Sequence, residues 1–431
     1  MIRHFQDYDR KRKMKTYKWL LIAMLSCAFF FHQADRALFG LLTIPIQKDI
    51  GLTDVQVGWI NTTLSWTLAA MTVVAGFVGD RCSRKWLITL SLIAWSLMTV
   101  CMGFIGGFWG ALFFRSIATG VGESFYAPSA YALIAVHHKK TRSLALSIHQ
   151  AALYVGLMVS GLVVAWLLGF LDSWRSVFMA FGVAGCLLGI IFIWALKDGV
   201  SGEGERVKSE EGRGLGLGES LRAYFCNPSA LCATAGFVAI VFVNNAYLFW
   251  APKFAAEKFA IDVGEAGKGV MLWHHLFAFG AILLGGIVTD RFVSGMPRFR
   301  LGFQIIALLC GAPMLLWVGF SQSFVTLLVA ASAYGVFRGF FEVNTHASLF
   351  DVVPPQFRST AVGLLNMIAF FFGGLSGVAM GALSQKFGVR GFEIGFGIMA
   401  AFYAVAALLM MFSFFFTFKR NRVVEGERDE E

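Results

Sequence analysis

Residues 76–85 read GFVGDRCSRK, and residues 286–291 read GIVTDR. Each stretch follows a long apolar segment, and the second Asp-Arg pair comes 210 residues after the first. A second motif recurs at nearly the same offset, because RSLA at 142–145 returns as RSTA at 358–361, 216 residues later. Two different motifs that recur in register indicate a duplicated unit with several apolar segments in each copy.

The composition around these motifs is that of a membrane protein. The 431 residues are 57% hydrophobic and 14% charged, whereas a soluble domain carries about 25% charged residues. So few charges cannot cover a water-facing surface, which excludes an ordinary soluble or disordered protein. Roughly 20 apolar residues cross a bilayer, so the chain is long enough for about a dozen spans.

Twelve apolar segments are long enough to cross a bilayer as helices, and none shows the alternation typical of strands. They are residues 19–45, 57–79, 86–106, 108–135, 143–168, 177–196, 228–250, 268–289, 301–320, 324–350, 359–384 and 393–417. We therefore predict an all-α membrane protein with twelve transmembrane helices in two pseudo-symmetric six-helix bundles. The bundles comprise residues 17–196 and 226–417, and the tails comprise 1–16 and 418–431. The charged, glycine-rich stretch 197–225 is typical of a flexible cytoplasmic linker.

The basic residues predict the orientation. With the N-terminus inside, the cytoplasmic segments hold 26 of the 36 Lys and Arg, and the external loops hold seven, among them Lys253. This bias predicts a multi-pass protein of the cell (inner) membrane with both termini cytoplasmic. It also explains the net charge of +10 by contact with an anionic inner leaflet, so no nucleic-acid partner is expected. The N-terminus lacks a signal-peptide cleavage site, and we expect the first segment to be retained.

Charged side chains inside the predicted spans indicate a functional site, because each costs at least about 2.5–3.5 kcal/mol at the membrane centre. They are Asp35, Arg36, Arg115, Glu123, Arg338 and Glu342. They lie on spans one, four and ten, which are equivalent to span seven if each half contains two inverted three-helix repeats. Span seven supplies uncharged polar groups in Asn244, Asn245 and Tyr247.

The stretch 76–85 resembles the loop signature between spans two and three of the major facilitator superfamily, with Ser83 where the signature usually has Gly. Within that superfamily the chain is most similar to the anion:cation symporter family, which includes sialin-like, hexuronate and galactonate permeases. The residues that carry this similarity are Asp35-Arg36-Ala37, Gly120-x-Gly122-Glu123 with Pro128, Trp174-Arg175 and Trp250-x-Pro252. The Spinster-like family, which is linked to lipid export, shares the Asp-Arg and Gly-x-Gly-Glu features. The resemblance extends from span one to span twelve and implies alternating access around a central cavity.

This resemblance implies that Arg36 holds an anion and that Asp35 and Glu123 take part in proton coupling. A structural ion pair with span four stays open as the alternative for Asp35 and Arg36. In the family the Arg of span four precedes the Glu by seven residues, whereas Arg115 precedes Glu123 by eight. On an α-helix the extra residue rotates Arg115 by about 100°, so we interpret Arg115 as part of a structural or gating pair.

Span ten carries Arg338, Glu342 and His346 at i, i+4 and i+8, which places them in one stripe. A neutralising ion pair and a direct substrate role are both open for Arg338, and Asn344 is a candidate substrate contact. Glu342 and His346 are candidates for proton coupling. Other histidines are candidates for a proton relay, although each is also explained as a hydrogen-bonded packing residue. These are His32, His149, His274 and His275.

The two Asp-Arg motifs are predicted to form a cytoplasmic gate. A carboxylate at a helix end can interact with the N-terminus of a helix from the other half, and neighbouring basic residues can pair across the cleft. Asp80, Arg81 and Arg84 would do this in the first half, and Asp290 and Arg291 in the second. The alternative is purely topological, since basic loops stay inside.

The motifs that are absent exclude several activities. The sequence has no Gly-x-x-x-x-Gly-Lys-Ser/Thr loop, no Gly-x-Ser-x-Gly and no His-Glu-x-x-His, so we expect neither an ATP motor nor a common hydrolase. Its seven cysteines show no zinc-ligand or redox spacing, and we expect no metal site.

We therefore expect a secondary transporter, not an enzyme, for a small organic anion such as an acidic sugar. It would be coupled to a proton, with sodium as the alternative, need no other cofactor, and work as a monomer in the lipid bilayer. The alternatives are a Spinster-like lipid or lysolipid carrier and, from other classes, a non-transporting sensor or a membrane enzyme. The sequence contains neither a signalling extension nor a catalytic constellation at one membrane face.

Overall fold

The computed structural model describes residues 2–79, 82–138, 141–197, 217–293, 295–296, 298–354 and 357–423. These residues form mainly α-helices, with no β-strand among them. Nine helical segments of this described part are long and apolar enough to cross a membrane. The predicted all-α membrane fold is thereby confirmed, while the number of twelve spans stays a prediction.

The first half of the chain folds into helices α1 to α9. Their bounds are α1 Ile2–Leu41, α2 Thr43–Ile50, α3 Asp54–Gly79, α4 Arg84–Met102, α5 Phe108–Ala111, α6 Thr119–Ser124, α7 Tyr126–His137, α8 Arg142–Leu171 and α9 Trp174–Ala195. A π-helical turn, Leu112–Ala118, joins α5 to α6. Predicted span four is therefore a series of short helices, and the predicted N-terminal tail continues into α1.

The second half folds into helices α10 to α18. Their bounds are α10 Leu217–Phe225, α11 Pro228–Phe259, α12 Val263–Val293, α13 Phe299–Phe320, α14 Phe324–Glu342, α15 Thr345–Phe350, α16 Arg358–Phe387, α17 Val389–Phe412 and α18 Phe418–Asn421. Residues 198–216 of the predicted linker lie outside the described residues. The end of that linker is not free chain, because it forms α10, where Tyr224 is buried and its hydroxyl lies 2.6 Å from that of Thr234 in α11.

Helices that are distant in sequence pack together within each half. In the first half α1 packs against α8 and α4 against α9, and in the second half α12 packs against α14 and α13 against α17. The halves meet through α3 with α16, α8 with α12 and, to a lesser extent, α1 with α11. We call the end with the connections 42–53 and 388 the outer end, and the end with 82–83 and 351–354 the inner end, after their predicted sides.

The two halves are in close contact towards the outer end. A Cβ atom added to Gly58 of α3 would lie 2.5 Å from the carbonyl oxygen of Gly377 in α16, so the two backbones touch. A series of hydrogen bonds links residues 47–66 of the first half to the second half. These contacts hold the two halves together at the outer end.

A buried polar network, Gln47, Asp54, Lys253 and Ser384, contributes to this closure. Lys253 was assigned to an external loop, but it lies inside α11 and is only 5% exposed. Its ammonium pairs with Asp54 of α3 and lies 2.7 Å from Oε1 of Gln47. Asp54 also accepts hydrogen bonds from Ser384 at 2.5 Å and Gln47 at 2.7 Å. We call these four residues the outer network.

Candidate functional site

Arg115 of the π-helical turn and Asp35 of α1 form a buried ion pair. Nη1 of Arg115 lies 3.3 Å from Oδ2 of Asp35, and the side chains are 4% and 5% exposed. Nη2 of Arg115 donates to the carbonyl oxygens of Asp35 and Arg36, at 3.2 and 3.0 Å. Thr99 donates to the second carboxylate oxygen, Oδ1, at 2.9 Å. Both carboxylate oxygens of Asp35 have partners, which favours the structural ion pair over proton coupling at this residue.

The π-helical turn changes the geometry expected for span four. A π-helix bonds residue i to residue i+5 and so takes up one residue more than an α-helical turn. This extra residue offsets the rotation of about 100° that the eight-residue gap between Arg115 and Glu123 predicts. The rotation was expected for a regular α-helix, which this segment is not. Arg115 bonds to Asp35, which agrees with its interpretation as part of a structural pair.

Glu123 of α6 is a buried carboxylate without a hydrogen bond. Its side chain is 0% exposed, and neither of its oxygens has a hydrogen-bond partner in the described chain. Oε2 lies 3.7 Å from Nε of Arg36 and 3.5 Å from Nε2 of His32. Gln33 donates to Nδ1 of His32 at 3.0 Å, so the proton of a neutral His32 ring is on Nε2, which faces Glu123. Glu123 thus faces two donors without a bond to either.

Arg36 is the member of this cluster that solvent reaches. Its side chain is 21% exposed, whereas that of Glu123 is fully buried. A guanidinium binds a carboxylate through two parallel hydrogen bonds when its donors are available, and the contact between Arg36 and Glu123 is loose at 3.7 Å. Arg36 is therefore the most exposed charged side chain of this cluster, and its donors are not held in a tight ion pair.

His149 lies in an aromatic layer of the first half. Its ring stacks on Phe29 with the centroids 4.4 Å apart, and its Nε2 is 3.2 Å from the hydroxyl of Tyr126. The Tyr126 hydroxyl in turn donates to the carbonyl oxygen of Leu25 at 2.5 Å. His149 is fully buried, and these contacts favour a packing role over a relay.

Arg338 of α14 is the centre of a second buried cluster. Nη2 of Arg338 lies 3.2 Å from Oε2 of Glu342, and Nη1 lies 3.2 Å from Nε2 of His274. Nδ1 of His274 donates to the carbonyl oxygen of Ala331 at 3.0 Å, so a neutral His274 accepts from Arg338 through Nε2. Arg338 is 4% exposed and Glu342 32%, which makes Glu342 the accessible member of the pair. Tyr154 of the opposite half interacts with both, so the cluster faces the first half.

Two predicted substrate contacts are instead held in interhelical hydrogen bonds. The buried hydroxyl of Tyr247 donates to a backbone carbonyl of α12 at 2.9 Å. Asn344 is 1% exposed and donates to Thr289 at 3.0 Å. In contrast, Oδ1 of Asn244 and Nδ2 of Asn245 lack hydrogen-bond partners in the described chain. These two amides on α11 retain capacity for a ligand.

The predicted stripe on span ten is interrupted after its second residue. Helix α14 ends at Glu342, and α15 begins at Thr345. His346 therefore lies beyond the break, with its ring centroid 6.4 Å from that of Phe237. Arg338 and Glu342 pair as their spacing predicts, while His346 does not continue their helix.

The predicted gate is described only in part. Asp80 and Arg81 lie outside the described residues. Arg84 begins α4, and Asp290 and Arg291 are exposed in the last turn of α12 at the inner end. Ser83, which replaces the usual Gly of the signature, caps α4 by accepting a hydrogen bond from the amide of Trp86 at 3.3 Å. The gating role of these residues stays a prediction.

Several residues that complete the two clusters were not predicted from the sequence. Thr99, Gln33 and Tyr154 are uncharged, and nothing in a single sequence separates them from polar residues that merely pack. The clusters offer guanidinium, imidazole and carboxyl groups, which can bind anions and protons. In the described part of the chain, no group of three His, Cys, Asp or Glu is arranged to hold a metal ion.

Comparison with known proteins agrees with this fold. The family model described as the Major Facilitator Superfamily matches residues 24–321 and 300–431. The chain is 25% identical over 313 residues to the probable galactarate/D-glucarate transporter GudP of Bacillus subtilis, covering 67% of this chain and 68% of that protein. It is 25% identical over 391 residues to Protein spinster of Drosophila melanogaster, covering 85% of this chain and 62% of spinster. It is 24% identical over 419 residues to the probable sulfoacetate transporter SauU of Cupriavidus necator, covering 93% of this chain and 95% of that protein.

Solved structures with the same fold are also transporters. A bacterial homologue of the human lysosomal transporter Spinster, in an inward-facing and unoccupied conformation, superposes with a TM-score of 0.82 at 20% identity, covering 95% of this chain and 99% of that one. The D-xylose-proton symporter superposes with a TM-score of 0.70 at 15% identity, covering 92% of this chain and 97% of the symporter. The protein is thus a multi-pass membrane transporter and not an enzyme, and the chain belongs to the Major Facilitator Superfamily.

Proposed function

We propose that the protein is a secondary active transporter that moves a small organic anion by alternating access and couples this movement to protons. The observation that carries the proposal is the pair of Arg36 and Glu123. Arg36 is accessible to solvent, and Glu123 is buried 3.7 Å away from it without a hydrogen bond. An accessible guanidinium can bind the carboxylate of a substrate, and a buried carboxyl can take up and release a proton.

The coupling follows from competition for Arg36. Ionised Glu123 attracts Arg36 and so competes with an incoming carboxylate. Uptake of a proton by Glu123 removes this competitor, so proton binding and anion binding favour each other. In this proposal Glu123 carries the proton without Asp35, because Asp35 is already bonded to Arg115 and Thr99.

The second cluster supplies a further anion contact on the opposite side of the substrate. Arg338 pairs with the accessible carboxylate of Glu342, and a substrate carboxylate would compete with Glu342 in the same way. Asn244 and Asn245 have unpaired amide groups that suit the hydroxyl groups of an acidic sugar. The named relatives support an anionic substrate, since galactarate, D-glucarate and sulfoacetate are all anions.

The orientation is part of the proposal. The excess of basic residues in one set of loops supports a cell inner membrane location with both termini in the cytoplasm, and we propose that the monomer is the working unit. Labelling of single cysteines at Lys48 and Asp290 with a membrane-impermeant thiol reagent tests the orientation in intact cells. Reaction at Lys48 alone supports the proposal, and reaction at Asp290 alone reverses it.

Transport into liposomes tests the function. The purified protein is reconstituted, and uptake of D-glucarate, D-glucuronate, D-gluconate and sialic acid is measured under an imposed proton gradient, a sodium gradient or no gradient. We expect accumulation of at least one anion under the proton gradient only, and its loss in Arg36→Gln. Arg175→Gln is the matched control, because Arg175 pairs with Asp49 at the outer end. Accumulation under the sodium gradient alone, or transport of no anion, would contradict the proposal.

A Spinster-like lipid carrier is the second candidate function. The observations that favour it are the TM-score of 0.82 with a bacterial Spinster homologue and the 25% identity to Protein spinster. The same liposomes distinguish the two candidates when a labelled lysophospholipid is added to the panel. Transbilayer movement of the lysophospholipid without uptake of any sugar acid would favour the lipid carrier.

A further inference from the structure

An apolar groove lies on the membrane-facing side of the second half. It has a volume of about 550 Å³ and is formed by α11, α16 and α17, with Phe225 of α10 at one end. Thr234 is its polar lining side chain, and the Thr234 hydroxyl is already bonded to the Ala230 carbonyl at 2.7 Å and to Tyr224 at 2.6 Å. The groove therefore offers a ligand apolar surface and no free polar group.

The groove is open on the side that faces the lipid, and its length along α11 is close to the thickness of one leaflet. Among its lining residues, Phe402, Val405 and Leu409 are 44%, 56% and 44% exposed. From Leu231 to Ala239, α11 rises by about 12 Å at 1.5 Å per residue. The hydrocarbon of one leaflet is about 15 Å thick, half of the bilayer core. An apolar ligand of this length that enters from the membrane is an acyl chain.

Exposed basic side chains lie at the same end of α11 as the inner end of the groove. The hydroxyl of Ser229, two residues before Leu231, lies 2.7 Å from that of Thr417 and 3.3 Å from Oδ1 of Asn421. These contacts place α18 beside the start of α11, with Lys419 and Arg420 exposed on it. Arg222 on α10 is also exposed, but Glu219 one turn earlier offsets it. The excess charge therefore comes from Lys419 and Arg420.

We propose that this groove binds one acyl chain of an anionic glycerophospholipid whose phosphate lies beside Lys419 and Arg420. Basic side chains next to the membrane attract anionic lipids, and the enclosed chain adds apolar contact. This lipid is separate from the transported anion, since the groove lies outside the clusters of Arg36 and Arg338.

The groove also adjoins the interface between the two halves. Phe372 of α16 lines it, and the preceding residue, Phe371, stacks on Trp66 of α3 with the ring centroids 5.3 Å apart. The Trp66 indole also donates to the Phe371 carbonyl at 2.9 Å. An acyl chain in the groove therefore packs against Phe372, next to the residue, Phe371, through which α16 contacts α3.

Photolabelling of the intact protein tests the site. The protein is placed in nanodiscs that contain phosphatidylglycerol with a photoactivatable group on one acyl chain, and the labelled peptides are mapped. We expect labelling at 231–239 and 402–409 to exceed that of the exposed face of α9 by about fivefold, a preference of about 1 kcal/mol. Equal labelling of α9 and the groove overturns the proposal without any variant.

Two variants sharpen the result. Val238→Trp fills the groove and should lower labelling there by about fivefold, whereas Leu187→Trp, at a 56% exposed position of α9, should leave it unchanged. In wild type, unlabelled phosphatidylglycerol should displace the label better than phosphatidylcholine with the same chains. Lys419→Gln with Arg420→Gln should abolish this difference. Labelling that persists in Val238→Trp, or equal displacement by both lipids in wild type, contradicts the proposed site.

Discussion

At the scale of residues, the two carboxylates of the first half have opposite surroundings. Asp35 accepts hydrogen bonds from Arg115 and Thr99, so its charge is needed to hold α1 against the π-helical turn. Glu123 is equally buried but accepts none. A carboxylate whose two oxygens already accept hydrogen bonds stabilises the fold, while one without hydrogen-bond partners remains available to bind a proton.

Substitution of these two carboxylates should therefore affect different properties. Glu123→Gln should abolish accumulation driven by a proton gradient but retain exchange of substrate across the membrane, because Arg36 loses its competitor. Asp35→Asn should lower the free energy of unfolding by about 2 kcal/mol, since it weakens hydrogen bonds to a charged group, and keep the response to the proton gradient. Uptake into liposomes and thermal unfolding in detergent measure both effects.

The comparison needs transport to be normalised to the amount of folded protein in the liposomes. If Asp35→Asn unfolds like wild type and has lost its response to the proton gradient, the coupling role belongs to Asp35 and the structural assignment is wrong.

At the scale of elements, the sequence predicts the existence of helices better than their geometry. Apolar length predicts twelve spans, and nine helices of the described part are long and apolar enough to cross a membrane. Charges in apolar surroundings indicated Arg36, Glu123 and Arg338 as candidate site residues. The π-helical turn at 112–118 leaves no trace in composition. The sequence places Lys253 in a loop because it follows the apolar segment 228–250, and its partner, Asp54, is 199 residues away in the chain. Both features depend on contacts between elements, which a local pattern does not contain.

Deletion of one residue tests the role of the π-helical turn. Ile117 lies between Arg115 and Glu123 and is 40% exposed. Its deletion leaves a seven-residue gap, which a regular α-helix places on nearly the same face, so we expect protein that folds and transports. Deletion of Leu187 from the regular helix α9 rotates the remaining residues of that helix by about 100°. This deletion should abolish folding. Loss of expression in both variants would show that the π-helical turn does not absorb the extra residue.

An ion pair at the inner end ties α13 to the segment after α15. Nη1 of Arg300 lies 2.7 Å from Oδ1 of Asp351. Burial raises the pKa of the Asp351 carboxyl above its usual range, and the attraction of Arg300 opposes this only in part. A carboxyl whose pKa is raised by folding lowers stability when it is ionised, so the loss of Arg300 should cost more than the loss of Asp351.

We expect Arg300→Gln to lower the free energy of unfolding by about 1 kcal/mol at pH 7, a partly buried pair being worth about this much. The difference from wild type should shrink as the pH falls through the raised pKa of the Asp351 carboxyl, because this carboxyl then becomes protonated and neutral. Asp351→Asn should show a smaller loss without this pH dependence. Thermal unfolding at pH 7 and 4.5 measures these differences, and a loss in Arg300→Gln that grows at low pH would contradict them.

At the scale of the whole molecule, the halves are joined unevenly. The outer network and the hydrogen bonds of residues 47–66 lie towards one end. The halves are therefore closed at the outer end. Transport requires the outer contacts to break, which makes their strength a determinant of the conformational equilibrium.

Removal of one partner of the outer network should shift this equilibrium. Lys253→Gln removes the counter-ion of the partly buried Asp54, and the loss of a hydrogen bond to a charged group costs about 1.5–3 kcal/mol. In a cysteine-free background with spin labels at positions 48 and 386, pulsed electron paramagnetic resonance should show at least about a tenfold rise in the population with separated outer ends. Arg175→Gln is the control, since the pair of Arg175 and Asp49 lies within the first half. An unchanged distance distribution in Lys253→Gln would assign the closure to other contacts.

The crossing of Gly58 and Gly377 has a mechanical consequence. Neither glycine has a side chain at the point where these backbones touch, so the two helices approach closely there and one can tilt against the other. Such a crossing suits a fulcrum. The crossing lies close to the outer end of both helices, so most of their length extends towards the inner end. A small change of the crossing angle therefore moves the loops at the inner end over a large distance.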